Sequence, residues 1–127
     1  MKLLHTMLRV NDLDKEIEFF TKALGMHILR RHEYPEGKFT LVFVGYGDEL
    51  DHTVLELTYN WEIHEYDLGN AFGHIAIEVD NAAIACERVR NLGYNITREA
   101  GPMKHGSTII AFCCSPTGYL IEFIQKK

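Results

Sequence analysis

No stretch of this 127-residue chain stays apolar for the roughly 18 residues that a bilayer-spanning helix needs. With a mean hydropathy of −0.12, a membrane protein is not expected. Basic excess is also missing. Thirteen Lys and Arg against 18 Asp and Glu give a net charge of −5, the wrong sign for a phosphate-backbone binder, so nucleic acid is not an expected partner. Cysteine is scarce and odd in number, at three. Cys113 and Cys114 are adjacent and in a strand would face opposite ways, a poor disulfide pair. The start, Met1-Lys2-Leu3-Leu4-His5, lacks a secretory signal's long apolar stretch and small-residue cleavage site. Reduced thiols without a signal point to a cytoplasmic protein. The remaining composition, 46% hydrophobic and 24% charged, is that of an ordinary globular domain long enough to bury a core unaided.

What the chain has is an internal repeat. His5-Thr6-Met7-Leu8-Arg9-Val10-Asn11-Asp12 is answered by His74-Ile75-Ala76-Ile77-Glu78-Val79-Asp80-Asn81, an offset of 74 − 5 = 69. Leu24-Gly25 is answered by Leu92-Gly93, an offset of 93 − 25 = 68. Each half ends in an apolar run with one glutamate, Val54-Leu55-Glu56-Leu57-Thr58 and Leu120-Ile121-Glu122-Phe123-Ile124.

The patterning predicts strands at 3–10 and 72–79, then helices at 13–24 and 82–92 that start at Asx caps. Leu13, Ile17, Phe20 and Leu24 share one helical face, as do Ala82, Ala85, Cys86, Val89 and Leu92. Gly25 and Gly93 stand where a left-handed residue closes a helix. Three strands follow each helix, near 26–34, 38–46 and 52–59, and near 94–99, 107–114 and 118–125. The expected fold is therefore α+β: two βαβββ modules in tandem, about 1–60 and 72–127, with a connector about 61–71 in a single domain. One helix covers one face of a four-stranded sheet, so two modules must pair, within a chain or between chains.

The repeat places a histidine at the start and a glutamate near the end of each module. A carboxylate such as Glu122, set among Leu120, Ile121, Phe123 and Ile124, costs several kcal/mol to ionise without a partner. His5, Glu56, His74 and Glu122 converging from paired sheets would make a metal site of two nitrogens and two oxygens, and imidazole suits Zn, Ni, Co or Fe. The plain alternative is that each is a hydrogen-bonded or exposed strand residue. The other histidines, at 27, 32, 52, 64 and 105, lie in polar or turn-like contexts and read as solvated.

At these residues the chain resembles the glyoxalase I family of the vicinal-oxygen-chelate superfamily, in its short bacterial form. The resemblance runs from Leu4 to Glu122. It is carried by Leu4 to Val10, Phe43-Val44-Gly45-Tyr46-Gly47, Leu55 to Trp61, Phe72 to Ile77, Thr97 to Pro102 and Gly118-Tyr119-Leu120-Ile121-Glu122. It implies a homodimer whose curved half-barrel sheets form from modules of different chains. Each shared site would take His5 and Glu56 from one chain, and His74 and Glu122 from the other, around one divalent ion. Ni or Co would be preferred, with Zn possible.

The implied activity is that of a lactoylglutathione lyase: isomerisation of the methylglyoxal–glutathione hemithioacetal to S-lactoylglutathione through an enediolate, a detoxification of methylglyoxal. Glu122 would move the proton, its apolar neighbours making it the more basic carboxylate, and Glu56 would be its near-symmetric counterpart. Arg9 and Asn60 match contacts to the glutamyl end of glutathione, Arg98 and Lys104 suit its glycyl carboxylate, and Trp61, Phe43 and Met103 would line the pocket. Two positions depart from the family. Ser115-Pro116-Thr117-Gly118 replaces an acidic turn, and Asn70 stands where some relatives carry an arginine. The competing functions for this fold are a non-enzymatic small-molecule-binding dimer and a metal-dependent epimerase.

Overall fold

Successive side chains of a strand point to opposite faces of its sheet, one packed under a helix and the other open. In the computed structural model, which describes residues 1–127, the first module runs β1 (His5–Arg9), α1 (Leu13–Glu18), a wider helical turn (Phe19–Ala23), β2 (His27–Tyr34), β3 (Phe39–Gly45) and β4 (Val54–Asn60). The second runs β5 (His74–Val79), α2 (Ala82–Asn91), β6 (Asn95–Pro102), β7 (Ile109–Cys114) and β8 (Leu120–Gln125). Each module forms its own four-stranded sheet, ordered β1-β4-β3-β2 and β5-β8-β7-β6. The first and last strands of each module pair in parallel, and the other neighbours are antiparallel. The α+β class and the two tandem βαβββ modules are as the sequence predicts. The chain divides into two compact units, Met1–Asp67 and Leu68–Lys127. No helix is long and apolar enough to cross a membrane.

Both cores form beneath the helices. Leu8, Val42, Val44, Leu55 and Leu57 join Phe19 and Phe20 in the first unit, and Ala111, Cys113, Ile121 and Phe123 join Ala82, Cys86 and Val89 in the second. Asp12 accepts from the backbone N–H of Lys15 and Asn81 from that of Ile84, so both expected caps form. Gly25 and Gly93 have φ of +75° and +87°, the left-handed conformation that favours glycine at a helix end.

The helices differ in one respect. α2 closes with Gly93 N–H on the Arg90 carbonyl and Tyr94 N–H on the Val89 carbonyl, the paired bonds of a regular helix end. After α1 the Leu24 N–H reaches five residues back to the Phe19 carbonyl, and the Met26 N–H six back to Phe20. That is a π-type turn holding one extra residue. The cap-to-cap offset is 81 − 12 = 69 but the glycine offset is 68, and this turn accounts for the difference. It also shifts the buried face. Phe19, Phe20, Ala23 and Leu24 are buried, whereas Ile17, expected in the core stripe, is half-buried. In α2 the expected core residue Leu92 is 37% exposed, because it is already the C-cap.

All three cysteines are free thiols. Cys86 and Cys113 are buried and Cys114 is half-buried, so the adjacent pair does face opposite ways. Burial pushes the Cys113 thiol up to about 12 and raises that of Cys86 as well.

Candidate active site

Strand register assembles the same row of side chains on the open face of each sheet. In the first, Met7 pairs with Glu56, Glu56 with Phe43 and Phe43 with Arg30. In the second, Ala76 pairs with Glu122, Glu122 with Phe112 and Phe112 with Arg98. A shift in register between Ile28 and Arg30, and another between Ile96 and Arg98, precede the two arginines. Such bulges re-aim a side chain. The histidines stand two residues before Met7 and Ala76 on the same faces.

Within each unit the histidine and glutamate meet. His5 Nε2 lies 2.9 Å from Glu56 Oε2, and His74 Nε2 lies 3.3 Å from Glu122 Oε1. Each imidazole also rests edge-on against a phenylalanine of the row, His5 on Phe43 at 5.5 Å and His74 on Phe112 at 5.2 Å between ring centres. Glu122 does not sit in the core as its sequence neighbours suggest. Ile121 and Phe123 point under α2, while Glu122 faces the open side with Leu120, which is 37% exposed. The Glu56 and Glu122 side chains are 14% and 15% exposed, so burial alone does not separate them.

Neither unit by itself brings a third His, Cys, Asp or Glu to its pair. Each offers one nitrogen and one oxygen donor. Neighbouring ligands of an octahedral ion with bonds of about 2.1 Å stand about 3 Å apart, and separations of 2.9 and 3.3 Å suit that spacing. The donor chemistry fits a borderline divalent ion.

Arg9 is exposed on β1 and is the Cα partner of Thr58 on β4, two residues beyond Glu56. The Thr58 hydroxyl is buried and makes no hydrogen bond within the protein, a polar group on the Glu56 face that the sequence reading did not single out. Asn60 continues that face and donates to the Tyr66 hydroxyl at 3.0 Å. Arg98 is turned onto backbone carbonyls, donating to Ile110 at 2.9 Å, Pro102 at 2.9 Å and Gly101 at 3.2 Å. Lys104 sits in the exposed turn between β6 and β7, with Met103. Trp61 leaves the Glu56 face. Its indole N–H donates to Thr40 Oγ1 at 2.8 Å, and with Tyr59, Arg31, Glu33 and His64 it lines a cleft of about 560 Å³ on the helix side of the first sheet. The five histidines read as solvated are all exposed.

Phe43, expected to line the pocket, stands in the first row beside Glu56, and Phe112 and Arg30 are further members of the rows that the sequence reading did not single out. The signal was present, since 112 − 43 = 69 is the same offset as that between the histidines.

The profile of the glyoxalase/bleomycin resistance protein/dioxygenase superfamily matches residues 2–123. The chain belongs to that superfamily. A lactoylglutathione lyase from Neisseria meningitidis serogroup B is 67% identical over 127 residues, covering 100% of this chain and 92% of that protein. The crystal structure of glyoxalase I from Zea mays superposes with a TM-score of 0.96 at 44% identity, covering 98% of this chain. This chain spans 44% of the maize chain's length. The trypanothione-dependent glyoxalase I of Leishmania major gives a TM-score of 0.87 at 44% identity, over 98% of this chain and 86% of that one. Within the superfamily, the chain groups with the lactoylglutathione lyases.

Proposed function

We propose that this chain is a glyoxalase I, isomerising the methylglyoxal–glutathione hemithioacetal to S-lactoylglutathione, and so detoxifying methylglyoxal. The observation that carries the reading is the duplicated His–Glu pair, 2.9 and 3.3 Å apart at equivalent register in the two sheets. Two such pairs supply the four donors of one site. The pairing proposed is between chains, with His5 and Glu56 of one protomer facing His74 and Glu122 of its partner in a homodimer with two shared sites. These four side chains would hold one divalent ion, Ni or Co in preference to Zn, which would supply Lewis-acid polarisation of the substrate.

Glu122 takes the proton from C1, leaving an enediolate, and the same carboxyl returns it to C2. The C1 proton is returned to C2 and the hydroxyl proton passes from the C1 oxygen to the C2 oxygen, so atoms balance and the thioester is an isomer of the hemithioacetal. Glu56 occupies the matching place toward the opposite face of the substrate.

Arg9, the Thr58 hydroxyl and Asn60 form a polar strip along β1 and β4 for the glutamyl end of the thiol. Lys104, exposed in its turn, suits the glycyl carboxylate. Arg98 belongs to the same region, and its guanidinium would have to release carbonyls to reach a ligand. A reaction on a small soluble thiol adduct fits a cytoplasmic enzyme.

The test follows thioester formation by ultraviolet absorbance, using preformed hemithioacetal and metal-stripped protein restored with Ni, Co or Zn. Activity that returns with metal and is lost in Glu122→Gln is expected. Silence with every metal, from a folded protein that binds them, would overturn the enzyme reading in favour of a binding role. Activity with the trypanothione adduct but not the glutathione one would keep the chemistry and change the thiol.

A further inference from the structure

The phenylalanines of the two rows are not equally covered. Phe43 is 3% exposed although it lies on the open face of its sheet, whereas Phe112 is half-buried. The difference lies in the arginine beside each. The Arg30 guanidinium stacks over the Phe43 ring, 3.8 Å from its centre. It is held there by a two-pronged pair with Glu49, Nε to Oε2 at 2.7 Å and Nη2 to Oε1 at 3.1 Å. The Glu49 segment is itself anchored, since the Lys2 ammonium donates to the backbone carbonyls of Glu49 and Leu50. Arg98, the counterpart of Arg30, is spent on the carbonyls of Gly101, Pro102 and Ile110 instead. The chain of contacts in the first unit therefore runs Glu49, Arg30, Phe43, His5, Glu56. A planar guanidinium does what an ammonium does poorly, pairing with a carboxylate edge-on while stacking flat on a ring.

We infer that Arg30, clamped by Glu49, is a positioning residue: it presses the Phe43 ring against the His5 imidazole and fixes the direction in which Nε2 is presented beside Glu56. This rests on the proposed metal site and deepens it, because it makes the first half-site rigid through a surface ion pair that the second lacks. The pair is mutually stabilised: the hydrogen bonding that Arg30 donates to Glu49 holds Arg30 above the ordinary arginine range and Glu49 below the ordinary carboxylate range.

Two readouts test it, one of them free of metal. In the metal-free protein, nuclear Overhauser contacts between the Phe43 and His5 rings should be strong in the wild type and lost in Arg30→Ala and Arg30→Lys. Dissociation constants for Co(II), from chelator competition, should rise about tenfold in both variants and about threefold in Glu49→Gln, the scale at which groups behind a ligand act. Thermal midpoints should stay close to the wild type, since Arg30 and Glu49 lie at the surface. Unchanged ring contacts and unchanged Co(II) affinity in Arg30→Ala would overturn the inference. So would a raised KM alone with unaltered affinity for Co(II), which would make Arg30 a direct contact to the thiol's carboxylates. A wild type that binds no Co(II) would sink the metal reading itself, and the ring contacts would still decide whether Arg30 orients His5.

Discussion

In the first module His5 and Glu56 stand 2.9 Å apart, with Phe43 capped by Arg30. In the second His74 and Glu122 stand 3.3 Å apart, with Phe112 uncapped. Farther along the same strands the divergence widens. Arg9 and Thr58 in the first sheet correspond to Glu78 and Ile124 in the second, each a pair of Cα partners. The row that would hold an ion is kept twice, while the flanks that would meet the rest of a ligand differ in charge and polarity. A near-symmetric pair of ligand sets with asymmetric flanks is what an ion-centred site needs if its substrate has a polar end and a reacting end. In the proposed reading the polar strip of β1 and β4 would receive the thiol, and Glu122 of β8 would move the proton.

The sharpest way to break that comparison is to remove one carboxylate at a time. Glu122→Gln should cost about 10³-fold in kcat, within the range of a lost general base. Glu56→Gln should cost less with the favoured substrate enantiomer. Equal losses in the two variants, read by thioester absorbance on metal-loaded protein, would mean that the modules are interchangeable in the chemistry.

Alkaline stability separates the modules at the level of their cores, because Cys113 belongs to the second alone. Below pH 9 the folded and unfolded states both keep its proton. Between pH 9.0, the ordinary thiol value, and about 12 the unfolded state alone loses it. Stability therefore falls as pH rises through that window, by at most roughly 4 kcal/mol. Urea denaturation across the window should show a shallower fall for Cys113→Ala than for the wild type. An identical slope would contradict burial of this thiol.

The helix caps, by contrast, should behave alike. Asp12→Ala and Asn81→Ala each remove one carboxyl or amide acceptor from a helix's first turn, and each should cost about 1 kcal/mol in chemical denaturation. A marked inequality would place extra weight on α1 and its widened end.

Much of this was readable from the chain because a repeat carries its own controls. Two histidines at an offset of 69 and two glutamates on matching last strands single out the His–Glu pairs from sequence alone. The change of offset from 69 to 68 already held the extra residue of the first helix, but an offset does not say whether the odd residue sits in a loop or within a helix. Only the Leu24-to-Phe19 hydrogen bond decides that. Cross-strand register was not readable, and so Arg30 and Phe112 went unconnected with the histidines. Which residue of β2 lies opposite Phe43 depends on a bulge whose position no local pattern marks. The same gap explains Glu122, whose neighbours in sequence are apolar while its neighbours in space are His74 and Phe112. It explains Arg98 too, which reads as a free cation and is folded onto three backbone carbonyls.

The central claim, that each site is built from two different half-sites on two chains, is tested most directly by subunit exchange. His5→Ala inactivates one half-site and His74→Ala the other, so each variant alone should be inactive. Mixed and exchanged, the heterodimer combines the intact first module of one chain with the intact second module of the other. About a quarter of wild-type activity should return, from one working site in half of the dimers. A mixture that stays as inactive as its parents, with exchange verified by mass-tagged subunits, would contradict the account.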